Sequence, residues 1–487
     1  MRVVYFLFII GSLLQSLRLA SQELKPAWQD SLKLSIGTVG TAAAKDFQPF
    51  WLVANQFGTI TDQQWDFSTN VRLANEHVLN YGKWRAGAQR YPFKLSYTFD
   101  IYNNNHFKDV NIIEGNLKLN WRGWQFRAGR YREVIGEVDS ALSTGSLGIS
   151  GNAMPIPKIS IAVPEYKPFP WTNGWLQFKG LFSHGWMGND RYFYSYLHEK
   201  AFYLRAGRGK LKLFGGIAHF AEWGGKRADY QLDRGLKAFW NVISLREAND
   251  GSVPEESGKR PNRAGDHRGM MELGFDLEAN KGYWHFYHQT PFESGTGIDI
   301  RNVDRLAGIS FRWKESSSLF KKLVFEFIYT KQMEGFATEQ QSYYNNGAYK
   351  TGWEYNGAIV GTPLFINRKR GRYFFPLQPF DWGLDAEADP PGNSNIIGNR
   401  IIGVNLAGEW TVHNNLLLTT ILTFNSHSLD RSILRNDISS VQNQFYSVQK
   451  LSFRLKDKLT LLSAIAIDVG DLYNNFGGML GLKYDIK

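Results

Sequence analysis

The stretch of this sequence richest in groups able to hold a ligand is residues 341–364, QSYYNNGAYKTGWEYNGAIVGTPL. It sets Tyr343, Tyr344, Tyr349, Trp353 and Tyr355 beside Asn345, Asn346 and Asn356. Aromatic faces stack on the apolar faces of sugar rings, and side-chain amides satisfy hydroxyls as donor and acceptor. A segment this aromatic must either bind something or pack on something. Two readings stand level: a carbohydrate-binding platform, and a loop folded inward as a plug with its rings buried. Trp186, in Ser183-His184-Gly185-Trp186-Met187, and Trp223, in Ala221-Glu222-Trp223-Gly224-Gly225, are expected on outer loops, where they would join the same surface. Residues 168–175, with Phe169, Trp171 and Trp175, fall at a turn and read as structural.

Other chemistry is sparse. The chain has no G-x-S-x-G, P-loop, H-E-x-x-H or dinucleotide fingerprint. With no cysteine, thiol catalysis, disulfides and zinc–cysteine sites are excluded. Ten histidines are scattered, and His285 and His288, three apart in a strand, point to opposite faces and cannot share a metal. No catalytic residue, metal site or cofactor is therefore expected. The formal charge of +11 comes from bases spread along the chain rather than clustered for nucleic acid. A lumen lined by Lys and Arg would attract anions, such as acidic glycans or lipopolysaccharide phosphates.

The elements that position these groups show a period of two. Leu95, Tyr97, Phe99 and Ile101 alternate with Lys94, Ser96, Thr98 and Asp100. The same holds for Ile113 to Trp121, Met271 to Ala279, Leu451 to Leu455 and Leu480 to Ile486. Such runs are strands with one apolar and one polar face. Several reach about ten residues, the length of a tilted membrane-spanning strand rather than the usual five or six. Short turns at 122–123, 207–210, 280–282, 315–318, 413–415 and 456–458 alternate with longer stretches at 133–154, 185–198, 221–267, 332–399 and 425–444. This alternation is that of a transmembrane antiparallel β-barrel with short periplasmic turns and long extracellular loops. We count about 18 strands between Leu32 and Ile486. The barrel must close, because an open edge in hydrocarbon leaves backbone groups unpaired. Tyr102, Trp121, Trp124, Tyr131, Trp313, Trp410 and Tyr484 are expected in interfacial girdles.

The N-terminus predicts export. Met1-Arg2, an apolar run from Val3 to Leu14 and small residues at Ala20-Ser21 have the shape of a signal peptide over 1–21, leaving a barrel over 22–487. Loss of Arg2 and Arg18 takes the charge from +11 to +9. Export to the outer membrane of a Gram-negative cell excludes nucleic acid as an ordinary partner. It leaves surface polysaccharide and outer-membrane lipid or lipopolysaccharide.

Several stretches then become familiar: Pro49-Phe50-Trp51-Leu52-Val53-Ala54-Asn55-Gln56-Phe57-Gly58, Gly148-Ile149-Ser150-Gly151-Asn152-Ala153-Met154-Pro155-Ile156-Pro157, Leu197-His198-Glu199-Lys200 with Tyr203-Leu204-Arg205, His219-Phe220-Ala221-Glu222-Trp223-Gly224-Gly225, Gly352-Trp353-Glu354-Tyr355-Asn356-Gly357 and Gly361-Thr362-Pro363-Leu364. Together they resemble the Wzi-type capsule-assembly outer-membrane family in its Bacteroidetes-like form. The resemblance implies a barrel of roughly 18 strands acting as a surface lectin for capsular polysaccharide, and no enzyme. Better-known members carry an N-terminal helical bundle; residues 25–40 are too short and too β-like for one. The competing readings are a diffusion channel or transporter, an outer-membrane hydrolase, and a soluble β-sandwich array.

Overall fold

Alternating side chains become the two faces of one continuous sheet. The computed structural model describes residues 31–487 except 80–92, 190–193, 227–230, 249–262, 300, 316–318, 336–341, 378–394 and 430–439. The expected signal segment, 1–21, lies outside the described residues. The sheet contains eighteen long strands. In chain order they are Lys33–Ala43, Trp65–Leu79, Phe93–Asn104, Asp109–Trp121, Trp124–Arg130, Lys158–Pro168, Leu176–Asn189, Tyr194–Ala206 and Leu211–Lys226. They continue with Asp266–Glu278, Gly282–Phe292, Arg305–Trp313, Phe320–Tyr329, Arg400–His413, Leu416–Ser428, Val441–Lys456, Leu459–Gly470 and Asn475–Asp485. The two-residue Gln231–Leu232 extends one hairpin. Each long strand pairs antiparallel with the next, and the first pairs with the last from Ser35↔Asp485 to Ala43↔Gly477. The barrel is closed and has no edge.

The first strand begins and the last strand ends at one rim, which we call inner; the short turns expected at 122–123, 207–210, 280–282, 413–415 and 456–458 lie there. The opposite, outer rim carries the longest connections, among them 131–157 and 330–399, together with short turns at 105–108 and 471–474. One expected outer loop is much shorter: the strands reach Asn189 and restart at Tyr194, so most of 185–198 is sheet. Likewise Leu211–Lys226 absorbs 221–226. Trp186 and Trp223 therefore stand on strands and not on outer loops, because these strands run past the length needed to cross a bilayer.

Outward-facing side chains are apolar and exposed, among them Phe99, Ile101, Leu117, Leu273, Leu455, Leu480, Leu482 and Tyr484. A water-facing sheet would be polar there; an apolar band on a closed barrel is what lipid requires. One face assignment changes. A register shift opposite Asp100/Ile101 bulges the strand at Ile113, which turns inward and is fully buried, while Val110 and Ile112 face out. A bulge inserts one residue and so flips the alternation on one side of it.

The inner rim carries a chain of rings: Trp284–Phe311 and Phe311–Trp313 at 4.6 Å, Trp313–Phe320 at 5.4 Å and Phe320–Trp410 at 4.9 Å. Exposed Trp121, Trp124, Trp171 and Trp175 continue it, which gives residues 168–175 an interfacial place. Tyr131 departs from the expected girdle. It is buried inside the barrel, its hydroxyl 2.7 Å from Ser160 Oγ, because the chain turns inward after Arg130. Tyr102 also departs from it: it shares the inward face of Asp100, near Arg132.

Candidate functional site

Three connections from the outer rim fold into the lumen: residues 44–64, 131–157 and the described parts of 330–399, namely 330–335, 342–377 and 395–399. Their apolar side chains form one core with inward residues of the wall, including Trp51, Leu142, Leu147, Phe220, Met270, Tyr344 and Trp353. A loop inside a barrel must find partners for its backbone N–H groups, since each one left unpaired costs about 1–3 kcal/mol. Inward-facing acids and amides of the strands supply them. Glu326 accepts from Ser143 Oγ at 2.6 Å and Thr144 N at 2.7 Å, and also from Tyr287. Glu272 accepts from Glu137 N at 2.9 Å, Gln289 Oε1 from Leu147 N at 3.0 Å and Asp468 from Phe50 N at 2.7 Å. The alternating polar face, read in the sequence as a lumen lining, thus serves as the socket of a plug.

The aromatic stretch is the centre of that plug. Trp353 is fully buried; its indole N–H donates to Gly148 O at 2.8 Å, its ring lies 5.8 Å from Phe220, and the Arg268 guanidinium sits 5.0 Å from its centroid. Gly148 has to be glycine, since a Cβ there would meet the Phe220 ring at 2.7 Å. Tyr344 donates to Leu147 O at 2.6 Å and its N–H to Glu293 at 2.7 Å. Burial raises the Glu293 carboxyl above the usual range, against the pull of Arg268. Tyr343 donates to Asp304 at 2.7 Å. Burial and that carboxylate push its phenol far above the usual value. The Tyr355 hydroxyl receives Arg130 at 3.0 Å, and Tyr349 is buried against Leu232.

The amides are committed too. Asn345 exchanges two bonds with Ile396, at 2.9 and 3.0 Å. Asn346 donates to Asp266 at 2.9 Å and accepts from Ala348 N and Tyr349 N. Asn356 and Gly357 have φ of 52° and 78° and turn the small hairpin Glu354–Tyr355 with Ala358–Ile359. Left-handed conformation at both central residues is what Asn-Gly supplies in a two-residue hairpin. None of Tyr343, Tyr344, Tyr349, Trp353 or Tyr355 offers an open face, so the inward-folded reading describes their geometry. Trp223 is buried on the outer wall and Trp186 half-buried beside it, away from the plug. The nine residues do not converge on one site.

Between plug and wall is a cavity of about 20 Å³, room for a single water. It is lined by Tyr131, Glu133, Met154, Lys158 and Glu199, among others. Burial disfavours the Glu133 charge, but Lys158 at 2.8 Å and Arg127 at 2.7 Å outweigh it and hold the carboxyl at about 2. Such paired charge is a fastening and has no room for a polymer.

The surface that can meet one is the outer mouth. The segment Asn367-Arg368-Lys369-Arg370-Gly371-Arg372 follows the aromatic stretch, and its basic run is the signal that chemistry-led reading of the sequence passed over. Arg370 is bound to Asp62 at 2.6 and 2.7 Å and to Gln48 O at 2.9 Å, which fastens one inward loop to another. Arg372 is exposed, 5.4 Å from the Tyr373 ring. Tyr373 stacks on Phe47 at 4.9 Å, two residues from exposed Lys45. Leu429 and Leu472, just beyond the outer ends of their strands, pack against Phe375 here.

Residues 52–371 match the family model described as capsule assembly protein Wzi. The solved structure of Wzi from Escherichia coli, described as a carbohydrate-binding β-barrel involved in group 1 capsule assembly, aligns with a TM-score of 0.56 at 13% identity. That alignment covers 93% of this chain and 84% of the other. Pseudomonas aeruginosa OccK11 aligns at 0.46 and 9% identity, over 94% of this chain and 96% of its own. No curated protein matches the sequence.

Proposed function

The chain belongs to the Wzi capsule-assembly family, and from that premise we propose that it is a non-enzymatic outer-membrane barrel that binds and organises capsular polysaccharide at its outer mouth. The observation that carries this reading is the inward-folded plug: all three loops are hydrogen-bonded to inward strand residues, through Thr144 to Glu326, Phe50 to Asp468 and Asn346 to Asp266, and the cavity beside Glu133 and Lys158 has room for about one water. A protein that invests its lumen this way acts with its surface. The carbohydrate binding described for the Escherichia coli relative supports the same direction.

In this reading the mature protein is exported by its cleaved signal peptide, the inner rim faces the periplasm and the outer mouth faces the capsule. Lys45, Lys369 and Arg372 attract an acidic polymer, and Tyr373 gives a partly exposed ring beside them. Tyr343, Tyr344, Asn345, Asn346, Tyr349, Trp353 and Tyr355 act from beneath, holding that surface in shape. Trp186 and Trp223 brace the wall. Weak contacts along a repeating polymer add through multivalency.

The test is binding of the refolded, detergent-solubilised barrel to purified acidic and neutral capsular polysaccharides. Retention of an acidic polymer, falling with salt and reduced several-fold in Lys45→Ala/Arg372→Ala, is expected. Failure to retain any polymer, or unchanged retention by the double variant, contradicts the assignment.

A further inference from the structure

Outside the barrel, one outer connection runs the opposite way. Strands Leu176–Asn189, Tyr194–Ala206, Leu211–Lys226 and Asp266–Glu278 are neighbours. Their lower outward faces are bare apolar wall: Phe182, Phe202, Leu213, Ile217 and, at 65% exposure, Leu273. Higher on the same faces stand His184, His198, His219, His267 and Trp223, nearly all buried. His198 lies eight residues from the inner end of its strand at Ala206, and His219 eight from Leu211. A spanning strand uses about 9–11 residues, so these imidazoles sit at the outer edge of the hydrocarbon thickness. Uncovered, they would face acyl chains, which is costly for polar groups.

The cover is the helix Leu236–Ile243, of the connection after Lys226. Ala238 and Val242 are buried against the wall. Phe239 lies 5.4 Å from the His184 ring and 5.5 Å from Trp223. Outward-facing Lys200 donates its ammonium to Ile243 O at 2.6 Å, a cation on the negative end of the helix. The opposite face is apolar as well. Leu236 is 80% exposed and Trp240, one turn on, 64%. Arg234, Lys237 and Arg246 are exposed beside them.

We propose that this helix is an external clasp lying in the membrane interface, with Leu236 and Trp240 inserted among the acyl chains of the outer leaflet. Acyl chain is the occupant because the exposed ridge continues the bare wall directly below it. Lys237 on the helix and Arg234 and Arg246 beside its ends, among the exposed acids Asp233 and Glu247, sit where headgroups would meet them. The proposal rests on the barrel spanning a membrane and is independent of polysaccharide binding.

The absence of cysteine makes every introduced thiol unique. Leu236→Cys and Trp240→Cys are spin-labelled in vesicles of phosphatidylethanolamine and phosphatidylglycerol, with Leu213→Cys marking the wall and Arg372→Cys the mouth. Relaxation by oxygen is compared with relaxation by a water-soluble nickel chelate, and heat-modifiable migration confirms that each variant is folded. We expect positions 236 and 240 to follow 213, with oxygen access dominant. Nickel access equal to that at 372 overturns the clasp, as does spin–spin broadening that reveals a second copy on the ridge. If 213 itself reports water, the membrane-spanning reading fails instead.

Discussion

The loop after Phe320–Tyr329 and the helix after Leu211–Lys226 are both aromatic, both leave the outer rim, and end on opposite sides of the wall. In the first, Trp353 is wholly buried and Tyr344 nearly so; in the second, Leu236 and Trp240 stand exposed. Hydrophobicity does not separate them. The inward loops bring many backbone N–H groups, and the lumen offers Glu272, Glu293, Asp304, Glu326 and Asp468 to receive them. The short helix pairs only part of its backbone internally, and Lys200 takes the Ile243 carbonyl at its C-terminus. An irregular segment goes where acceptors are; a helix can lie against a wall that has few.

Removing the keystone should break this contrast most. Trp353→Ala leaves a large hole and an unpaired Gly148 carbonyl, and is expected to destabilise the plug by about 3–5 kcal/mol. Limited proteolysis of loops 131–157 and 330–399 should become rapid while the strands stay resistant. Glu326→Gln keeps the shape but loses charge and acceptor strength toward Ser143, Thr144 and Tyr287. A loss of about 1–3 kcal/mol is expected, read as a lower unfolding midpoint in detergent.

Acid should act on the inside first. The Glu133 carboxyl is lowered from 4.5 to about 2 in the folded chain. A depressed carboxylate stabilises above its unfolded value and loses that stabilisation as pH falls through the folded one. Loop 131–157 is therefore expected to loosen between about pH 4.5 and pH 2, with hydrogen exchange as the readout, and Glu133→Gln should flatten that dependence. The smallest effect belongs to the outside: Trp240→Ala should move the unfolding midpoint by the equivalent of about 0.5 kcal/mol or less. A larger shift would mean that the exposed ridge carries packing the geometry does not contain.

Much of the barrel was legible because its period of two is dictated by two solvents. Leu480, Leu482 and Tyr484 point outward as their alternation requires, and His285 and His288 do take opposite faces, His285 turning in to Asp276 at 2.7 Å. The bulge at Ile113 was not legible, since one inserted residue changes no local composition. Nor was the excess length of Leu211–Lys226, which turned Trp223 from an expected loop residue into part of the wall. For the aromatic stretch, composition suits a sugar platform and a plug equally. What separates them is contacts with Gly148, Glu293 and Asp304, distant in sequence. Asn356-Gly357 held a plainer signal, a hairpin turn, beneath its reading as a ligand amide.

Conductance of the wild-type protein in a planar bilayer most directly separates a plugged surface-binding barrel from a pore. Insertions that carry almost no steady current, with open events appearing once Trp353→Ala loosens the plug, are the predicted result. A stable, ohmic, porin-sized current through the unmodified protein would contradict it.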